Sequence, residues 1–254
     1  MPQQGSEHID IFIILLSTIV AFLAYWLVIE NPAVQTGFRK RHGERGGPVR
    51  YFVFNKLWGV VCFGMAAAAA VLTASPRART LGFGLGLPAA GTPLFRTFLW
   101  SAGLSAIFIL MNWLRARKLG ARGGDFGRYP EIRVAGWSAR TVALDLALWS
   151  LYLVAYELVF RGTLLLPLAA SLGPWPAIGV NVALYSAVHV PKGPGEAIGA
   201  LVLGFVLCII TLDTGSALTA VIVHIALAVS NDLFAAVYHP RLGFPKNTTK
   251  EAGL

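Results

Sequence analysis

Apolar residues run along this chain in stretches of bilayer-crossing length, longer than the one-sided stripes of a soluble amphipathic helix. Windows near 10–29, 57–75, 96–114, 141–166, 176–190, 197–212 and 216–237 predict about seven spans. Breakers separate them: Pro32, Pro76, the glycine-rich 119–124 stretch, Gly173-Pro174-Trp175-Pro176, Pro191 to Gly195, and Gly215. The fifth and sixth windows are short for a hydrocarbon core of about 30 Å, so tilting, breakage or shielding by neighbours is expected there. The expectation is an all-α fold, a polytopic transmembrane helical bundle of about seven spans. It forms a single integral membrane domain over 1–254. No Lys or Arg precedes Ile11–Ile29, so this segment reads as a retained helix rather than a cleaved signal.

Composition agrees, with 56% apolar and 13% charged residues among 254. The net charge of +9 would fit nucleic acid if it were gathered on one solvated face. Instead the basic residues fall between apolar runs. Arg39, Lys40, Arg41, Arg45, Arg50 and Lys56 occupy 30–56, and Arg115, Arg117, Lys118, Arg122, Arg128, Arg133 and Arg140 occupy 115–140. Lys192 and the tail residues Arg241, Lys246 and Lys250 fall on the same side of the alternation, against only Arg77, Arg79 and Arg96 on the other. The asymmetry predicts an outside amino terminus and a cytoplasmic carboxyl terminus, with the lipid bilayer and not nucleic acid as the surrounding partner. Cys62 and Cys208 lie within apolar runs and read as buried thiols. Gly82-Phe83-Gly84-Leu85-Gly86 lacks the strand that a dinucleotide fingerprint requires. Gly195 and Gly199 read as a close helix contact.

Several polar groups interrupt the apolar runs. Glu157 and Arg161 stand one turn apart in the fourth span, where an unneeded charge costs about 2.5–3.5 kcal/mol on insertion scales. Asn181, Tyr185 and His189 share one face of the fifth span. His224 lies in the seventh, with Asn231 two turns on along the same face. Asp145 and Asp232 fall near predicted helix ends, where solvation or capping is expected. Each group alone also fits a packing or hydrogen-bonding role. Together, a carboxylate, an arginine, two histidines and an asparagine on three spans can activate water and stabilise an oxyanion.

The order Glu157-Leu-Val-Phe-Arg161-Gly162, then Tyr185-Ser-Ala-Val-His189, then His224 resembles the CAAX protease and bacteriocin-processing family of intramembrane glutamic endopeptidases. The resemblance covers 141–237. It implies a multi-pass protein of a bacterial inner membrane that hydrolyses a membrane-associated peptide or protein substrate. It further implies that the glutamate and His189 activate water and that His224, with an asparagine a turn later, binds the oxyanion. The candidate catalytic residues are therefore Glu157, Arg161, His189, His224 and Asn231. Two positions depart from the pattern. Tyr156 stands where the family's usual first glutamate would be, and Ala228 where the asparagine would be. These departures support an alternative, a catalytically degenerate relative acting as a membrane scaffold or as the partner of an active protease. No cofactor is expected. Zinc on Glu157, His189 and His224 is a weaker alternative, because no His-Glu-x-x-His helix exists and Arg161 would repel a cation.

Overall fold

The computed structural model describes residues 2–73, 84 and 94–245. Pro76, Arg77, Arg79, Lys246, Lys250 and most of the Gly82–Gly86 run lie outside the described residues. Among those described, the chain is helical and contains no strand. The helices are α1 (Pro2–Ile29), α2 (Pro32–Thr73), α3 (Leu94–Arg122), α4 (Ala139–Glu157), α5 (Leu166–Leu172), α6 (Pro174–Ala187), α7 (Pro194–Thr214) and α8 (Leu218–Tyr238). A π-helical stretch, Leu158–Leu165, joins α4 to α5, and a 3₁₀ turn, Val190–Lys192, joins α6 to α7.

Six helices are long and apolar enough to cross a membrane, α4 and α5 counting as one. The fifth expected span, α6, is the exception. Its 14 residues reach only about 21 Å at 1.5 Å per residue. The sixth is not short, since α7 extends over 21 residues. The basic segment read as a loop over 30–56 is also helical. α2 begins at Pro32 and breaks only at Gly43 (φ 72°), with Pro48 beyond it. Apolar windows cannot register a helix whose first turns are charged, and this explains the misreading.

Local chemistry sets the boundaries that matter for function. Ser138 starts α4 with a reciprocal cap, in which its hydroxyl accepts from the Thr141 N–H and the Thr141 hydroxyl accepts from the Ser138 N–H. The π-helical stretch runs into Pro167, which has no N–H to return to the preceding turn. The Thr163 hydroxyl also donates back to the Val159 carbonyl at 3.2 Å, a contact that bends helices. Gly173 (φ 86°) makes the reversal from α5 to α6, and Gly215 (φ 65°) ends α7 in a left-handed cap.

α3 packs along α8, α1 along α2, α6 along α7, and α4 against both α2 and α8. A buried ionic cluster fastens the last group. Lys56 on α2 pairs with Glu131 at 2.6 Å and sits 3.1 Å over the Trp149 ring of α4. Asp232 on α8 accepts from the Glu131 backbone N–H at 2.6 Å and from the Trp149 indole at 3.1 Å. Asp145 faces Asp232 from α4. Both aspartates are fully buried, which corrects the expectation that they sit at solvated helix ends. They lie inside because α4 and α8 continue past them and the 123–138 connection folds over the top. Lys56 is likewise a buried partner and not a loop charge.

Candidate active site

Glu157 ends α4 and Arg161 lies in the π-helical stretch, both fully buried. Arg161 Nε stands 3.0 Å from Glu157 Oε2. One further guanidinium nitrogen is held by α6 and α7. Nη1 donates to the Asn181 amide oxygen on α6 and to Cys208 Sγ on α7 at 3.2 Å, and the plane lies 4.6 Å from the centre of the Tyr185 ring. Asn181 in turn donates to the Phe160 carbonyl at 2.5 Å. That bond satisfies a carbonyl of the widened turn and locks α6 against it. Gly204 on α7 gives Tyr185 its space, since a Cβ there would stand 3.0 Å from the ring.

The other carboxylate oxygen faces α8. His224 Nδ1 lies 2.6 Å from Glu157 Oε1, and the Tyr185 hydroxyl donates to the same oxygen at 3.5 Å. A carboxylate accepts, so His224 donates through Nδ1, and in the neutral ring Nε2 is then the nitrogen with the lone pair. His189 follows the same logic. Its Nδ1 is 2.8 Å from the Tyr185 carbonyl, which can only accept. The two imidazoles flank Tyr185, at ring separations of 5.1 Å for His189 and 6.1 Å for His224. Both also meet the edge or face of Tyr156, at 6.4 and 5.6 Å. His189 and His224 keep 9% and 7% of their surface, whereas Glu157 and Arg161 keep none. The imidazoles are therefore the accessible members of the cluster.

The structure thus brings Glu157, Arg161, His189 and His224 into one cluster, despite the difference in depth that simple full-length spans would impose. The short α6 ends early and places His189 level with the end of α4. Asn231 is not brought in. Its amide oxygen accepts from Arg115 of α3 at 3.4 Å, two turns beyond His224. Ala228, one turn after His224, is buried and offers no polar group. Tyr185 and Asn181, expected from the sequence to pack and hydrogen-bond, do so within the cluster. Their four-residue spacing with His189 was the available signal. No group of three or more His, Cys, Asp or Glu among the described residues is placed to hold a metal ion.

A cavity of about 410 Å³ opens beside the cluster between α1 and α6. Phe22 and Trp26 form one wall, Phe160, Val188, Val190 and Pro191 the other. Phe160 also contacts the Tyr156 and Tyr185 rings, at 4.7 and 5.2 Å, so it separates the groove from the polar cluster. Val188 and Val190 flank His189 directly.

The described helices thus form an all-α bundle, six of them long and apolar enough to cross a membrane, in which a buried carboxylate is set against an imidazole. The family model described as type II CAAX prenyl endopeptidase Rce1-like matches residues 136–230. The match runs from just before α4 into α8 and contains Glu157, Arg161, His189 and His224, so this segment is similar to that family. Comparison with curated proteins and with solved structures finds no significant match.

Proposed function

We propose that the chain is an intramembrane endopeptidase whose centre activates water through Glu157 and His224. The observation that carries this is the 2.6 Å contact between Glu157 Oε1 and His224 Nδ1. Glu157 is occupied on both oxygens and closed to solvent, so it acts through the imidazole it orients. His224 Nε2 then takes the proton of the attacking water, and the carboxylate balances the imidazolium that forms. Arg161 fixes Glu157 and offsets its charge. His189 lies across Tyr185 with its proton held on Nδ1 by the Tyr185 carbonyl, so its Nε2 accepts a hydrogen bond from the attacking water and orients it, while the proton taken by His224 passes to the leaving amine. Asn231 has no part in this arrangement.

The apolar groove beside His189 supports a substrate carrying an extended apolar portion. A prenylated carboxyl-terminal peptide, the class the family description names, fits such a groove. The charge asymmetry between connections supports a cytoplasmic face at the 115–140 connection. A second reading, a non-catalytic scaffold, is favoured by Tyr156, whose ring stands against both imidazoles where the resembled family has a carboxylate. The purified chain, reconstituted alone in vesicles, is offered prenylated and unprenylated membrane-anchored peptides, with products read by mass spectrometry. Turnover is expected. Failure to cleave any of them, in preparations that retain the native melting transition, supports the scaffold instead.

A further inference from the structure

Arg128 lies in the connection between α3 and α4, outside the cluster. Its guanidinium makes a two-pronged pair with Glu30, just past α1, with Nη1–Oε1 at 2.8 Å and Nη2–Oε2 at 3.2 Å. Nη2 also donates to the Pro191 carbonyl at 2.9 Å. The hydrogen bonds that Arg128 donates to Glu30 raise its pKa above the ordinary value, so the cation persists. Pro191 is the middle residue of the Val190–Lys192 turn, which closes by the Lys192 N–H donating to the His189 carbonyl at 2.9 Å. Arg128 therefore grips the backbone two residues beyond His189. The next residue, Tyr129, donates its hydroxyl to Glu196 at the start of α7, at 3.2 Å. The connection straps the turn to α1 on one side and to α7 on the other.

His189 needs such a strap. It lies past the end of α6, and its ring is hydrogen-bonded to the Tyr185 carbonyl one turn back, a local contact that does not tie the turn to another helix. Val190 and Pro191, which follow it, form the wall of the groove, so a loose turn would move both the imidazole and the groove.

We infer that Arg128 is a positioning residue for His189, holding the turn that carries the imidazole to α1 across the end of the groove. This rests on the reading of His189 as part of the active centre. Its test uses the full chain in detergent, labelled with diethyl pyrocarbonate, with the rate at each histidine read by mass spectrometry. In Arg128→Ala the loss of a charge-assisted bond from the turn should raise labelling of His189 about tenfold. His224 and His42 should keep the wild-type rate. Arg128→Lys keeps the charge but loses the fork, and should fall between. Glu30→Gln keeps an acceptor for Arg128 but loses the charge on the α1 side of the strap, and should raise His189 labelling by less than Arg128→Ala does. Unchanged His189 labelling in both Arg128 variants overturns the inference. So does a parallel rise at all three histidines, which would mean that Arg128 secures the whole fold. Failure of the proteolytic reading looks different: Glu157→Gln would retain cleavage while the labelling pattern stood.

Discussion

Replacing Arg161 by methionine tests the centre of the structure without assuming any activity. The guanidinium is fully buried, and its Nε lies 3.0 Å from Glu157 Oε2. At an effective dielectric constant of about 20, that contact is worth about 5 kcal/mol of gross attraction. A solvent-exposed pair with the same i,i+4 spacing contributes only about 0.3–0.5 kcal/mol. Burial decides between these values, because the variant leaves Glu157 charged and without its guanidinium. Breaking a buried pair on one side costs about 3–5 kcal/mol. For a chain of this length each kcal/mol moves the melting midpoint by roughly 2–4 °C, so a fall of roughly 10 °C is expected. The double variant Glu157→Gln/Arg161→Met removes both charges and should recover at least half of that loss. The assay is thermal unfolding of the detergent-purified chain, read as a double-mutant cycle. A single variant that melts within about 2 °C of wild type refutes the reasoning, as does a double variant whose losses simply add.

Other consequences can be measured on the same material. Lys56→Met should destabilise by about 3–5 kcal/mol by stranding Glu131, and Lys56→Met/Glu131→Gln should recover much of it; equal melting of wild type and single variant would count against the buried cluster. Gly204→Val should push Tyr185 off Glu157, lowering cleavage without a large change in melting, as measured by turnover and thermal unfolding together. Burial, with Glu196 adjacent, raises the Tyr129 pKa well above its ordinary value. The native state then holds that proton more tightly than the unfolded chain, so its contribution is complete below about pH 10 and lost as pH rises further. Tyr129→Phe should flatten that alkaline decline in a melting series; an unaltered slope would assign the decline elsewhere.

The positions of the spans and the order Glu157, Arg161, His189, His224 were legible because each rests on a pattern within one short segment. Contacts across long separations were not. Lys56 looked like a loop charge because its partner Glu131 lies 75 residues on, and nothing in the sequence around either points to the other. Asp145 and Asp232 were misplaced for the same reason. The π-helical stretch left no trace because residues 158–165 hold only Arg161, Gly162 and Thr163, consecutive in sequence, among apolar residues, so no repeat is long enough to register a wider turn. Asn231 followed a helical face correctly, but the face two turns along α8 meets α3 and Arg115 rather than the cluster. Cys208 behaved as an apolar residue in sequence and proved to be a neighbour of Arg161.

The most direct measurement is the turnover of a cleaved membrane-anchored peptide by Glu157→Gln beside wild type, both reconstituted alone and both checked for native melting. Glutamine preserves the shape but cannot balance an imidazolium at His224. Turnover is expected to fall by roughly 10²–10⁴-fold, the range for losing general acid–base catalysis. Wild-type turnover in Glu157→Gln would contradict it.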